Sequence, residues 1–428
     1  MKTVLLSALF FFCVPFSFCG EDEGLRASDF SFSGVSGLET AVPEPVRPVI
    51  KNWTVLIYVS ARNNLALEAL RDVNEMEAYG STDGMNVVVE LGRIKGEPIF
   101  NPFASVQETV PPQNDWTGSR RFLIKKDQDT ETVTSAVLQH APDSDMGDWK
   151  HLTEFITWGK TNFPAKRYLL IVGGHGSGWR GVKEPANKGI SYDEISKRHI
   201  SPAELAGALK SAGGVDVYAS DACLMQTFEV LYELRGAADY VVGSQETTPG
   251  GGYNYTLMLE KLSSAGEAAS GAQAVLEAFS EFYGADKKSV TISIASPAAA
   301  DKVAAELDNF AGLVLNSPAE MKLYHDKKFS LRNFEDESMR DLYQLMTLYY
   351  ENSAAPEVKR SAERIIRLIA GELVTRNAAV GYKSKDANGV SIYFPMWYMD
   401  YSPRYDRLGF SSATRWNEMV KAVLDSKK

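Results

Sequence analysis

The chain has 428 residues, a length that at roughly 150 residues per domain allows two or three domains or one large one. Apolar residues make up 44% and charged residues 23%, the composition of a folded globular protein rather than a disordered one. With 45 Lys and Arg against 55 Asp and Glu the net charge is −10, which gives nucleic acid no general electrostatic hold, and three cysteines are too few for a multi-cysteine zinc site.

Lys2 precedes an apolar run from Val4 to Val14, and Ser17 and Cys19 supply small residues at −3 and −1 to a cut before Gly20. This is the pattern of a secretory signal over residues 1–19, too short for a comfortable bilayer span. Lipidation of Cys19 is the alternative, with Phe16 and Phe18 as poor neighbours for it. The expectation is a secreted or periplasmic protein with no transmembrane span in its mature chain, or a lipid-anchored one at the cell surface. Residues 20–50, rich in Ser, Gly and Pro, read as a flexible linker. Loss of the leader leaves Cys223 without a disulfide partner. A leftover thiol in an exported protein is a candidate for reactivity, although free cysteine is also a common core residue.

Trp53–Ser60 (WTVLIYVS) is a buried strand by its continuous apolar, β-branched run, and Leu65–Tyr79 has helical spacing. Strands follow at Asn86–Leu91 and, after a proline-rich stretch, Arg121–Lys125; Trp149–Thr161 reads as a helix and Tyr168–Val172 (YLLIV) as a strand. Ser201 and Pro202 open another helix by an N-cap and a first-turn proline. Val215–Ala219 (VDVYA) is a strand, Met225–Leu234 a helix, Tyr240–Gln245 a strand, Ala265–Phe282 a helix and Val290–Ala295 a strand. Apolar strands alternating with helices predict an α/β three-layer sandwich with a mostly parallel sheet over residues 51–296. Residues 297–428 are mainly helical (Asp301–Leu315, Glu337–Tyr349, Pro356–Thr375, Thr414–Leu424), with a late strand at Gly389–Phe394.

Ligands of a parallel α/β sheet bind beyond the carboxyl ends of its strands, and two such ends carry reactive groups. YLLIV leads to His175 among glycines, and VDVYA leads to Cys223, 48 residues later. A thiol attacks as thiolate, so a helix starting at Cys223 and a nearby imidazole would both favour its ionised form. The N–H of Gly176, joined by that of Cys223, can serve as an oxyanion hole. Taken singly, the histidine and the glycines could merely cap a strand and turn the chain; together, on equivalent strand ends, they point to nucleophilic catalysis.

A strand ending in His-Gly followed by a strand ending in an acidic or amide residue, Ala and Cys resembles the caspase-like cysteine peptidases. The wording HGSGW (His175–Trp179) and DACLM (Asp221–Met225) is similar to the clostripain family, as are WTVLIYVS, SQETTPGGGYNY (Ser244–Tyr255) and NGVSIYFP (Asn388–Pro395). The resemblance spans roughly residues 52–425. It implies a cysteine endopeptidase with Cys223 as nucleophile and His175 as acid and base. It also implies Asp221 at the base of the pocket that selects Arg or Lys at P1, although an aspartate there could instead cap a helix. Ser244 and Glu246 match the edge that pairs with an extended substrate backbone.

The family often matures by a cut between the two motifs at a basic residue, for which Arg180, Lys183, Lys188, Lys197 and Arg198 are candidates. Some members depend on calcium, but Asp143, Asp145 and Asp148 lack the spacing of a calcium loop, so no metal site and no cofactor is expected. The chain departs from the family pattern at Arg62-Asn63-Asn64, where Asp-Asn-Asp is usual, and at Gly92 before Arg93, where an aspartate is common. The expected partners are proteins or peptides with basic P1 residues. A non-catalytic peptide-binding module on the same scaffold is the rival reading; a serine hydrolase is weaker, because no G-x-S-x-G elbow is present and Ser177 lies past His175.

Overall fold

The computed structural model describes residues 49–94, 116–180, 189–286 and 288–426. The expected leader and nearly all of the linker lie outside them. Pro48–Lys428 forms one compact unit, so the helical last third is continuous with the sheet.

The chain runs through β1 (Lys51–Ala61), α1 (Ala66–Glu77), β2 (Met85–Arg93), β3 (Gly118–Leu123) and β4 (Val137–Ala141). Then come α2 (Trp149–Asn162), β5 (Ala165–Gly173), the hairpin β6 (Ile190–Asp193) and β7 (Arg198–Ile200), α3 (Pro202–Ser211) and β8 (Val215–Asp221). They are followed by α4 (Phe228–Glu233), β9 (Ala238–Gly243), α5 (Tyr255–Ser263), α6 (Ala268–Ala285) and β10 (Val290–Ala295). The remainder comprises α7 (Ala300–Leu315), α8 (Pro318–Lys327), β11 (Met339–Asp341), α9 (Leu342–Asn352) and α10 (Pro356–Leu368). Last are β12 (Val374–Val380), β13 (Ser391–Tyr393), α11 (Gly409–Ala413) and α12 (Trp416–Asp425).

Among the described residues the main sheet has nine strands in the order β12-β10-β9-β8-β5-β1-β2-β3-β4. Its centre, β9-β8-β5-β1-β2, is parallel, and the strands outside that centre are antiparallel. β1 is central, and side chains on both of its faces are buried, which explains its unbroken apolar run. Val55 and Ile57 join one core with α1, α5 and α6; Leu56 and Tyr58 join the other with α2, α3 and α7. Successive residues therefore feed opposite layers of a sandwich. Ser201 caps α3 in a full capping box with Glu204, and Pro202 fills the first turn, as the sequence predicts.

Several elements differ from the sequence reading, among them the helix expected over Glu337–Tyr349, whose first part forms β11 and which starts as α9 only at Leu342. α5 precedes α6 as a separate helix, capped by Asn254, whose side chain accepts from Leu257 N. With two helices between them, β9 and β10 run antiparallel, whereas a single crossover helix would make them parallel. The helix expected to reach Thr375 ends at Leu368 and, after one wide turn, becomes β12, an edge strand of the main sheet. The late strand at Ser391–Tyr393 pairs with β11 in a small sheet of its own and does not enter the main one.

Candidate active site

β5 and β8 are adjacent and parallel, with Gly173 opposite Asp221. His175 and Cys223 each lie two residues past that pair, so both follow adjoining carboxyl ends of the sheet. The chain after β5 is held by β6: Ser191 N donates to His175 O at 3.1 Å, and Ser177 N to Gly189 O at 2.9 Å. Neither bond uses the N–H of Gly176. The Gly176 backbone lies against the nucleophile turn, where a Cβ would meet Cys223 O at 2.6 Å, Ala222 Cβ at 2.7 Å and Cys223 N at 3.2 Å. Only glycine allows this close approach of the backbone at 176 to the backbone of Cys223. Gly176→Ala should push the two loops apart by a few tenths of an ångström or more and lower kcat by roughly 10²-fold, the scale of a small misplacement of reacting groups. Steady-state kinetics on a peptide amide checks it; an unchanged kcat would remove Gly176 from the oxyanion site.

Cys223 does not begin a helix. Leu224 adopts a left-handed conformation (φ 60°), and α4 starts only at Phe228, capped by Thr227. The apolar spacing that ran the predicted helix back to Met225 comes from burial of Leu224 and Met225 in the core rather than from helical turns. The thiol therefore lacks the helix terminus expected beside it. Burial pushes its pKa up, and the charges of Asp221 and Glu246 add to this, against the opposing backbone amides of Thr248 and of Cys223 itself. The Thr248 amide lies 3.3 Å from Sγ. Burial moves the pKa of His175 down, partly offset by Glu194. Burial therefore works against the ionised thiol that the sequence reading favours.

The imidazole has a partner that sequence reasoning did not identify: Nε2 lies 2.6 Å from Oδ1 of Asn64, in the turn after β1. β1 is the other neighbour of β5, so that turn opens beside His175. The only signal in the sequence was the departure from Asp-Asn-Asp at this point.

Asp221 ends β8 on the face covered by α1 and α5. Its Oδ2 accepts from Tyr253 N (3.1 Å) and Tyr255 Oη (3.0 Å), and neither bond uses Oδ1. Gly252 (φ 54°) makes room, since a Cβ there would stand 2.6 Å from Oδ2. Burial raises the Asp221 pKa to about 6, with the two tyrosine donors opposing. Two carboxylates of α1, Asp72 and Glu75, add to the same region. Burial and the charge of Asp221 raise both, and Glu68 raises Asp72 further. Glu75 accepts from Tyr255 N at 2.8 Å, linking α1 to the tyrosine that holds Asp221.

Ser244 and Glu246 occupy the stretch after β9 and brace the turn that carries Cys223. Their carbonyls accept from Gln226 N (3.0 Å) and Leu224 N (3.1 Å), and the Ser244 hydroxyl bonds Thr291 and Glu246. The Glu246 carboxylate accepts from Glu335 N at 3.0 Å and faces Arg332. Of the basic candidates for maturation, Arg180 is paired with Asp336 at 3.5 Å, and Arg198 with Asp145 and Asp148 at 3.2 and 3.3 Å. Lys197 lies in the β6–β7 turn, and Lys183 and Lys188 fall outside the described residues. Among the described residues no helix is long and apolar enough to cross a membrane.

Comparison with known proteins agrees with this fold. Clostripain of Hathewaya histolytica is 28% identical over 235 residues, covering 50% of this chain and 42% of that protein, so the match spans less than half of the relative's length. A secreted C11 cysteine protease of Bacteroides thetaiotaomicron, solved with an irreversible peptide inhibitor, has the same fold at 21% identity and a TM-score of 0.62. It covers 86% of this chain and 99% of its own. An inactive zymogen C11 protease of Parabacteroides distasonis gives a TM-score of 0.61 at 20% identity over 86% and 99% of the two chains. The sequence model of the clostripain family matches residues 57–423, nearly the whole folded unit: the chain belongs to the clostripain family, peptidase family C11.

Proposed function

We propose that the protein is an exported cysteine endopeptidase that cleaves after Arg or Lys. The observation that carries this is the pairing of β5 with β8, which brings His175, Gly176 and Cys223 to one edge of the sheet. His175 takes the Sγ proton as sulfur attacks the peptide carbonyl carbon. The amides of Gly176 and Cys223 receive the developing oxyanion, a contribution worth about 2.7–4 kcal/mol per donor. Collapse breaks the C–N bond, and the imidazolium gives its proton to the leaving amine. A thioester on Cys223 remains. Water, deprotonated by the same histidine, then releases the acid and restores the thiol.

The basic P1 preference is supported by Asp221 and by the α1 carboxylates grouped near it, whose raised pKa values reflect burial with too little neutralising charge. A guanidinium or ammonium entering there supplies that charge. Export is supported by the leader-like start of the sequence.

The test uses a peptidyl arginine acyloxymethyl ketone and a panel of fluorogenic peptides varied at P1. Mass spectrometry should place the adduct on Cys223, and cleavage should follow Arg and Lys. Binding of the peptides without adduct or turnover would instead make the chain a peptide-binding module.

A further inference from the structure

The turn between β1 and α1 is a tightly fixed block. Arg62, buried, pairs with the fully buried Asp193 at 3.0 Å and also donates to the carbonyl of Ser144. Asn63 Nδ2 donates to Tyr192 O (2.8 Å) and Ser60 O (3.1 Å), while its Oδ1 accepts from Leu65 N (2.9 Å). Glu194 N donates to Arg62 O at 2.9 Å. Residues 60–63 are thus bound to residues 192–194, and β6 in turn holds the backbone of His175. Asn64, the next residue, is exposed, yet both its neighbours in sequence are fixed.

We infer that Asn64 is the positioning residue of the catalytic imidazole: its Oδ1 accepts the Nε2 proton of His175, fixes that tautomer, and leaves Nδ1 to exchange the proton with the thiol and the leaving amine. The inference rests on the peptidase reading for its kinetic consequences but not for the hydrogen bond itself. An amide acceptor orients the ring without a negative charge, so it does not hold the imidazolium as a carboxylate would. The first two residues of the Arg62-Asn63-Asn64 departure serve the same end, since they build the anchorage that places Asn64. The charged and titratable groups on the elements against the imidazole are Arg62 in the same turn, Tyr192 and Asp193 on β6 with Glu194 after it, Asp221 at the end of β8 and Cys223 beyond it.

Two substitutions separate orientation from mere packing. Asn64→Ala removes the acceptor and should lower kcat about 10- to 100-fold with little change in KM and no displacement of the acidic limb of kcat/KM. Asn64→Asp keeps an acceptor and adds a charge. It should retain most of kcat and move that limb up by about one pH unit or more, because the imidazole must be neutral to take the thiol proton. Equal losses in the two variants, or an unmoved limb in Asn64→Asp, would overturn the inference. ¹⁵N spectra of His175 in Cys223→Ala protein give a readout that holds even if the chain is no peptidase. The Nε2–H tautomer should dominate there and lose its dominance when Asn64→Ala is added; a tautomer unchanged by Asn64→Ala would overturn the assignment directly.

Discussion

Cys223→Ala should abolish cleavage of an arginyl amide substrate, with kcat/KM falling by about 10⁴-fold or more. Loss of a nucleophile leaves only the rate provided by binding and the oxyanion site. The fold should survive. Cys223 is half-buried, and its polar contacts are a weak pair with Thr248, so the stability change should stay near about 1 kcal/mol. Single-turnover kinetics together with a thermal melt distinguishes lost chemistry from lost structure. Activity retained in a folded variant would move the nucleophile elsewhere, and Ser177 is a poor replacement: it is buried, with its backbone bound to Gly189.

Asp221→Asn should act on selectivity rather than on chemistry. Removing one partner of a buried charge pair costs about 2–4 kcal/mol, or roughly 30- to 700-fold in kcat/KM for an arginyl P1 residue, while a neutral P1 residue should lose little. pH gives the same result by another route. Asp221 has its pKa raised to about 6, so it is charged above that pH and neutral below it. Preference for Arg over a neutral P1 residue should therefore shrink as pH falls through about 6, and Asp221→Asn should flatten that dependence. A P1 panel measured from pH 5 to pH 8 checks both. Unchanged selectivity in the variant would transfer the role to Asp72 or Glu75 on α1.

The parts of the fold that the sequence makes legible are those where burial is uniform. β1, β5, β8 and β10 are buried over most of their lengths, and their apolar runs announce them. β12 does the opposite. It is an edge strand, VTRNAAV, with most side chains partly or wholly exposed, and it follows a helix with only one wide turn between. Nothing in its composition marks where helical spacing stops. Strand direction was hidden for a related reason: whether β10 runs with or against β9 depends on the number of helices between them, and α5 starts at Tyr255, inside the loop stretch Ser244–Tyr255 that masks its beginning.

At the site, residue types were readable and relations were not. His175, Gly176 and Cys223 stand out because a histidine, a glycine and a lone thiol follow strand ends. The bond from Asn64 to His175 joins residues 111 positions apart and depends on β1 lying beside β5, an order that periodicity does not reveal. The sequence places the helix after the cysteine too early because the buried Met225 imitates helical spacing, and four residues separate Cys223 from α4.

The turn that carries Cys223 is completed by the far end of the chain. Ser391 N donates to Gln226 O at 3.1 Å, Gly389 N to Gln245 Oε1 at 2.7 Å, and Tyr393 N to Glu229 Oε1 at 2.8 Å. During synthesis the nucleophile is translated about 170 residues ahead of these anchors, a delay of roughly 10–30 s at ordinary elongation rates. Until residues 389–393 emerge, the turn has the bonds to Ser244 and Glu246 but not these three. A chain cut short before residue 389 would lack all three of these anchors, so the geometry around Cys223 is tied to a segment remote from it in sequence.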